Sequence, residues 1–182
     1  MKREDRYKII RPLFLQRRIK SFRDLFEHVP PTVFAGSLGK ITKRFIQLIE
    51  DADKFKVEEI VQMARLCKLS MFEMFGLLQR ELTRQYRGKS FPRSQDDHVK
   101  TMYRDGDIVS FSDIFKHSDV KPTAEGAKVN RTRLAKSKTV IKKMSFEILL
   151  RVGLYHHLSI ADTLKLIEAE YIKQNQLSGS RL

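Results

Sequence analysis

Apolar residues recur along this chain at the three- and four-residue spacings that are typical of amphipathic α-helices. Phe45, Leu48 and Ile49 show this spacing within one short segment. Serines at positions 70 and 159 precede two later segments of the same kind and are predicted to cap helices. No stretch alternates apolar and polar residues over the length of a β-strand. The pattern therefore predicts an all-α protein that is built of short helices.

The same pattern occurs twice. Residues 19–82, shifted by 89 positions, align without a gap with residues 108–171, and 14 of the 64 aligned positions are identical. Roughly four identities are expected from ordinary residue usage. The capping-box pattern of Ser21 and Asp24 recurs in the second copy at the same offset. An internal period of this kind indicates two copies of one helical unit, and we expect five helices in each copy.

Domain boundaries follow from the repeat. We predict a first domain at residues 1–84, which includes a lead-in helix, and a second domain at residues 98–173. The polar segment 85–97 contains a glycine and a proline and is predicted to be a linker. The polar tail at residues 174–182 is predicted to be flexible.

One pair of predicted helices carries the clearest functional signal. The first helix of the pair opens at Pro30 and Pro31 and ends at Gly39. After a short turn, a second helix is predicted at about residues 43–51, with Thr42 as its N-cap. This second helix is apolar on one face and rich in hydrogen-bond donors on the other. That is the plan of a helix-turn-helix, in which the second helix enters the major groove of DNA.

Residues 19–82 resemble the lambda-repressor/Cro-like (XRE-type) helix-turn-helix family of DNA-binding proteins. The resemblance rests on a leucine-glycine before the turn, an isoleucine after it, and apolar positions in the helices that follow. These positions are Leu38, Gly39, Ile41, Ile60, Ala64, Leu69 and Phe75. The resemblance implies two tandem five-helix helix-turn-helix domains joined by a polar linker, because the repeat extends it to residues 108–171.

The second copy departs from the family pattern at the turn. In the gapless alignment, Lys128 replaces Gly39. A local slip of one residue would instead pair Lys128 with Lys40, and the sequence leaves both registers open. The helix that follows the turn is predicted to be capped by Asn130 or Thr132.

The resemblance also implies which residues face DNA. In the first copy they are Thr42, Lys43, Arg44 and Gln47. Arginine and glutamine can make paired hydrogen bonds to guanine and adenine edges, whereas threonine and lysine reach phosphates or single acceptors. In the second copy, the predicted contacts include residues that lead into the helix. They are Lys128, Asn130, Arg131, Thr132, Arg133 and Lys136.

Charge favours a polyanionic partner. The net charge is +14 at pH 7. No acidic residue occurs between Glu125 and Glu147, and such a block is typical of phosphate neutralisation. The seven cations singled out there are Lys128, Arg131, Arg133, Lys136, Lys138, Lys142 and Lys143. The first copy has Glu50, Asp51 and Asp53 in the corresponding region, so the two copies are expected to differ in their affinity for phosphate.

Little in the sequence points to other chemistry. One cysteine allows neither an internal disulfide nor a cysteine-based zinc cluster, and no glycine-rich phosphate loop or apolar run of bilayer length is present. We therefore expect no enzymatic activity, no catalytic residue, no metal and no cofactor.

The favoured hypothesis is a cytoplasmic, nucleoid-associated transcriptional regulator that binds double-stranded DNA and no membrane. It would act as a monomeric pseudo-dimer or as a homodimer.

Two other classes of function remain open from the sequence. One is a helical protein–protein adaptor or an antitoxin-like accessory factor, which is favoured by apolar Ile46 on a nominally exposed helix face and by the acidic residues that follow. The other is RNA binding, which is disfavoured by the small number of exposed aromatic platforms.

Overall fold

The computed structural model describes residues 3–137 and 140–179. None of the residues in these two ranges lies in a β-strand, and most lie in helices, which confirms the all-α prediction. The chain divides into two compact units, unit one at Met1–Arg87 and unit two at Gly88–Leu182.

Unit one is a series of short helices followed by one longer helix. Its α-helices are α1 (Arg3–Tyr7), α2 (Ile10–Leu15), α3 (Leu25–His28), α4 (Pro31–Ser37), α5 (Thr42–Glu50), α6 (Val57–Leu66) and α7 (Met71–Tyr86). A 3₁₀ turn at Ala52–Lys54 joins α5 to α6. The predicted lead-in helix is thus divided into α1 and α2.

Unit two has a similar order of elements, but one helix replaces α1 and α2, and an additional 3₁₀ turn precedes the counterpart of α3. Its α-helices are α8 (His98–Asp105), α9 (Ile114–His117), α10 (Val120–Gly126), α11 (Arg131–Ser137), α12 (Phe146–Tyr155) and α13 (Ile160–Gly179). Two 3₁₀ turns lie at Phe111–Asp113 and Ile141–Lys143.

The helix boundaries recur at the 89-residue spacing of the sequence repeat. Helices α4 and α10 each have seven residues and begin at residues 31 and 120. Helices α6 and α12 each have ten residues and begin at residues 57 and 146. The backbone therefore repeats even where the side chains of the two copies differ.

Left-handed backbone positions repeat as well. Three residues of unit one have a positive φ, and each lies two positions beyond the end of a helix. The residue 89 positions later also has a positive φ in each case. The pairs are Arg17 with Gly106, Gly39 with Lys128, and Lys68 with His157. Only glycine adopts this conformation without a steric penalty. The tertiary packing therefore holds the other members of these pairs in a conformation that their own side chains disfavour.

A cluster of phenylalanines forms the core of unit one. Phe22, Phe34, Phe45 and Phe55 are fully buried. The rings of Phe22 and Phe55 meet edge to face with centroids 5.6 Å apart, and those of Phe45 and Phe55 do so at 5.7 Å. The rings of Phe34 and Phe45 stack, with centroids 6.2 Å apart. Each such pair contributes about 0.5–1.5 kcal/mol beyond the burial of its area. The cluster fixes α4 and α5 against the 3₁₀ turn that follows them.

Unit two replaces part of this aromatic core with a polar pair. Thr123 and His156 occupy the positions of Phe34 and Cys67, and both are buried. The Oγ1 atom of Thr123 lies 3.2 Å from Nε2 of His156, so each polar group satisfies the other. The two cores therefore share a backbone but differ in chemistry.

The predicted helix caps are confirmed at Ser70 and Ser159 and wrong at Thr42. The predicted capping box of Ser110 and Asp113 is also present. The hydroxyls of Ser70 and Ser159 each accept a hydrogen bond, at 3.1 Å, from the backbone N–H three residues further on. Thr42 is not an N-cap, because α5 begins at Thr42 itself. Ile41 occupies the cap position, and its apolar side chain makes no capping bond.

Parts of the predicted linker and tail belong to the helices of the neighbouring unit or make hydrogen bonds to it. Helix α7 ends at Tyr86, which lies in the predicted linker. The hydroxyl of Tyr86 donates a hydrogen bond to the buried carboxylate of Asp53 at 2.8 Å. The backbone N–H of Ser94 donates to the carbonyl of Tyr155 at 2.8 Å. Helix α13 continues to Gly179, well into the segment that the sequence predicts as a tail.

Candidate nucleic-acid interface

The turn between α4 and α5 is closed by its own backbone. Gly39 has a φ of +62°, and the N–H of Lys40 donates to the carbonyl of Ala35 at 2.8 Å. The ammonium of Lys40 also pairs with the buried carboxylate of Glu59 on α6. These contacts fix the direction in which α5 leaves the turn.

The turn of unit two has the same geometry without a glycine. Lys128 has a φ of +54°, and the N–H of Val129 donates to the carbonyl of Ala124 at 2.9 Å. This bond is the counterpart, 89 residues on, of the bond from Lys40 to Ala35. The backbone therefore adopts the gapless register, and the one-residue slip is wrong. The left-handed lysine costs about 1–2 kcal/mol relative to an ordinary backbone conformation.

Helix α5 has an apolar face and a polar face. Its apolar face, which includes Phe45, is buried in the core of unit one. The predicted contacts Lys43, Arg44 and Gln47 are exposed, and Thr42 is half-buried. The guanidinium of Arg44 lies 3.4 Å from Oε1 of Gln47, so these two side chains are adjacent at the surface. The structure thus brings the predicted residues of the first copy together on one helix.

Helix α11 presents a more cationic face. Leu134 anchors the helix in the core, and Oδ1 of Asn130 accepts the N–H of Arg133 at 2.9 Å. Asn130 is therefore the cap, and Thr132 lies within the helix. The predicted contacts of the second copy are all exposed; they are Lys128, Asn130, Arg131, Thr132, Arg133 and Lys136. Lys138, which the sequence places in the same basic block, lies outside the described residues.

Acidic residues distinguish the surroundings of α5 from those of α11. Glu50 and Asp51 are exposed at the end of α5. Asp53 is buried instead, and its carboxylate accepts hydrogen bonds at 2.8 Å from two side chains of α7. At the position of Asp53, unit two has the exposed Lys142. The described part of unit two from Lys128 to Lys143 therefore carries cations and no carboxylate.

Comparisons of the chain with known protein families, curated proteins and solved structures give no match. The residues and their geometry are therefore the only basis for assigning a function.

Within the part of the chain that the structure describes, no helix has the length and apolar character needed to cross a bilayer. The same residues contain no cluster of three or more side chains suited to hold a metal ion.

Cys67 and His156 are buried titratable groups that belong to the core and not to this interface. Burial raises the pKa of Cys67 to about 12, so the thiol stays neutral. Burial, together with the adjacent His157, lowers the pKa of His156 to about 4. The ring of His157 points elsewhere, with Nε2 lying 2.8 Å from the carbonyl oxygen of Ser94. The two neighbouring histidines thus do not converge on one ligand.

The sequence did not predict that Ile41, beside the polar face of α5, is exposed. Ile41 is 78% exposed at the entrance to α5, and Ile46, which the sequence did single out, is 43% exposed. Ile41 lies in the turn, where helical periodicity does not operate. Its exposure depends on how α4 and α5 pack, so no local signal in the sequence could have revealed it.

Proposed function

We propose that this chain binds double-stranded DNA in a sequence-specific or semi-specific manner and acts as a transcriptional regulator in the cytoplasm, at the nucleoid. Helices α5 and α11 are the recognition helices of two five-helix, lambda-repressor-like helix-turn-helix domains, which consist of α3–α7 and α9–α13 and are preceded by lead-in helices. The observation that carries the proposal occurs in both units. In each, a helix follows a left-handed turn, buries its apolar side and exposes cationic and amide side chains. The major groove of B-DNA, about 12 Å wide, admits one such helix.

The two recognition helices have different tasks in this proposal. Arg44 and Gln47 of α5 can make paired hydrogen bonds to base edges, while Glu50 and Asp51 repel the phosphates near the end of the helix. Lys128 and the face of α11 together carry four cations and, in the described residues, no acid, and they supply phosphate contacts that do not depend on sequence. Unit one therefore contributes most of the specificity, and unit two contributes most of the affinity for random DNA.

In this proposal, one chain engages one duplex with both of its units. If both helices enter successive major grooves on one side of the DNA, their sites lie about 10–10.5 base pairs apart. Selection from a random duplex library should then enrich two short blocks at that fixed spacing. Enrichment of one block, with a second copy only in a palindromic arrangement, would indicate a homodimer that uses one unit of each chain.

The dependence of affinity on salt tests the proposal directly. Affinity for a random duplex should fall steeply between about 50 and 200 mM salt, because each neutralised phosphate releases counterions. The double variant Arg131→Gln/Arg133→Gln should reduce the slope of log K against log salt by about 2. The control Arg104→Gln/Lys165→Gln makes the same change in charge on α8 and α13 and should leave the slope near that of the wild type.

Fluorescence anisotropy with labelled duplexes measures both slopes. Equal losses in the two double variants would mean that overall charge, and not α11, attracts the DNA. A wild-type affinity that is insensitive to salt would exclude phosphate neutralisation as the source of binding.

A second candidate function, a protein adaptor, is favoured by the exposed apolar side chains of Ile41 and Ile46. On DNA, these side chains would contact thymine methyl groups. The variant Ile46→Ser distinguishes the two functions when its selected sequences are compared with those of the wild type. Loss of a thymine preference favours the DNA-binding role, whereas unchanged selection means that Ile46 does not contact the bases and leaves it available for a protein contact.

A further inference from the structure

Unit one carries an apolar groove between α2 and α7, away from the recognition helix. Its volume is about 580 Å³, which is within the usual range for ligand pockets. Leu15 forms one edge and is 64% exposed, and Phe72 forms the other and is 69% exposed. A phenylalanine that is 69% exposed in the first turn of a helix gains little from burial within its own domain.

Three residues on α7 define the wall of the groove. Phe72, Gly76 and Arg80 follow one another at four-residue intervals and therefore lie on one face of the helix. A side chain at Gly76 would meet no atom within 4 Å. The missing side chain leaves a depression between Phe72 and Arg80 into which another chain can approach closely.

Unit two shows that this groove is not required by the fold. At the positions of Leu15, Phe72 and Gly76 the second copy has Arg104, Ala161 and Lys165. Arg104 lies in α8 and the other two residues lie in α13, the counterparts of α2 and α7. Arg104 and Ala161 replace the large apolar edges, and Lys165 has a long side chain where unit one has a glycine. The apolar edges and the open depression are thus features of unit one alone.

The groove has a positive rim. Arg17, Lys20 and Arg80 are exposed and line it. The guanidinium of Arg80 donates to the backbone carbonyl of Lys20, which holds it across one end of the groove. The one carboxylate in the lining, that of Glu73, is occupied: it accepts the N–H of Ser70 at 2.7 Å and pairs with Arg11.

We propose that this groove binds an acidic amphipathic helix of another protein. Apolar side chains at i, i+3, i+4 and i+7 of that helix cover Phe72 and Leu15, and its carboxylates meet the three rim cations. A second copy of this chain is the wrong occupant, because a symmetric contact would place both sets of rim cations against each other. A membrane is also disfavoured, since the groove is concave and Gly76 lies in the depression. The inference does not depend on the proposed DNA binding, because α5 and α11 are not involved.

Designed peptides test the charge and the apolar requirement separately. The first probe is a fluorescein-labelled peptide of about 16 residues with leucine and phenylalanine at i, i+3, i+4 and i+7 and glutamate on the remaining face. The second replaces the glutamates with lysine, and the third keeps the glutamates but replaces the apolar residues with serine. With the full chain at about 150 mM salt, the first peptide should bind in the micromolar range, and the other two at least tenfold more weakly.

Variants without a change in charge locate the binding site. Phe72→Ala and Gly76→Gln should each weaken the first peptide at least tenfold, because the former removes an edge and the latter fills the depression. Thr83→Gln adds a similar side chain on the exposed surface of α7 outside the groove, and should bind the peptide as the wild type does. Circular dichroism should show that all three variants remain helical, since glutamine and alanine favour helix more than the residues they replace.

Several results would overturn the proposal. These are undiminished binding to Gly76→Gln, equal binding of the serine peptide, and no binding of the first peptide up to about 0.5 mM. Sedimentation velocity that detects a dimer which Gly76→Gln abolishes would assign the groove to a second copy. Binding to phosphatidylserine vesicles that is lost in Phe72→Ala would assign it to a lipid surface.

Discussion

Replacing Gly153 by alanine would add one methyl group where α12 packs against α13. A Cβ atom at this position would lie 2.0 Å from Oγ1 and 2.7 Å from Cγ2 of Thr163. Thr163 is fully buried, and its hydroxyl donates to the carbonyl of Ser159 at 2.8 Å, so a change of rotamer breaks that bond. Unit one has Ala64 and Met74 at the two positions, and the unbranched methionine leaves room for the methyl group.

The expected loss of stability follows from three opposing contributions. Helix propensity favours alanine over glycine by about 1 kcal/mol. Overpacking a core by one methyl group costs about 1–3 kcal/mol, and a 2.0 Å contact lies at the upper end of that range. Loss of the hydrogen bond from Thr163 adds about 1 kcal/mol. We therefore expect Gly153→Ala to lower the free energy of unfolding by about 3 kcal/mol, which lowers Tm by roughly 10–20 °C for a unit of this size.

Thermal unfolding followed by circular dichroism and calorimetry measures this change. Gly76→Ala on α7 is the matched control, because its new methyl group would meet no atom within 4 Å and should raise stability by about 0.5–1 kcal/mol. In a Thr163→Ala background the cost of Gly153→Ala should fall by at least about 1 kcal/mol. If Gly153→Ala and Gly76→Ala change Tm in the same direction, the close contact with Thr163 is not a real constraint.

Three further predictions concern buried groups and the turns. Lys128→Gly should stabilise the protein by about 1 kcal/mol and Gly39→Ala should destabilise it by a similar amount, because both positions have a left-handed backbone. Chemical denaturation that shows a change of the same sign for both variants would contradict this reasoning. Burial lowers the pKa of His156 to about 4, so between about pH 4 and 6.5 the unfolded state binds a proton that the folded state does not. The free energy of unfolding should therefore be highest above about pH 6.5 and should decrease as the pH falls. The decrease should be about 2 kcal/mol from pH 7 to pH 5, and urea titrations of His156→Gln should show a flatter profile; an identical profile would refute the assignment. Tyr86→Phe removes a donor from the buried carboxylate of Asp53 and should cost about 1–3 kcal/mol, and a loss below about 0.5 kcal/mol would show that this bond contributes little.

The structural consequences of short-range chemistry were readable from the chain. A serine that accepts a hydrogen bond from the N–H three residues on needs only its own local backbone, and Ser70 and Ser159 were placed correctly for that reason. The 89-residue period predicted recurring helix boundaries, because equal spacing of apolar residues requires equal lengths of helix. The exposure of Arg44 and Arg133 followed in the same way, since each lies opposite an apolar face.

Features that depend on contacts between distant segments were not readable in this way. The sequence left the register of the second turn open because a lysine carries no preference for a left-handed backbone; the packing of α10 and α11 imposes that conformation on Lys128. Asp53 was grouped with the acids that follow α5, yet it is buried, and Tyr86, 33 residues further on, donates a hydrogen bond to it. The groove beside Phe72 arises because α2 lies next to α7, and no window of sequence contains both helices. Helix period and capping act over a few residues and can be read in chain order, whereas backbone strain, the burial of charge and surface concavity exist only after remote segments have come together.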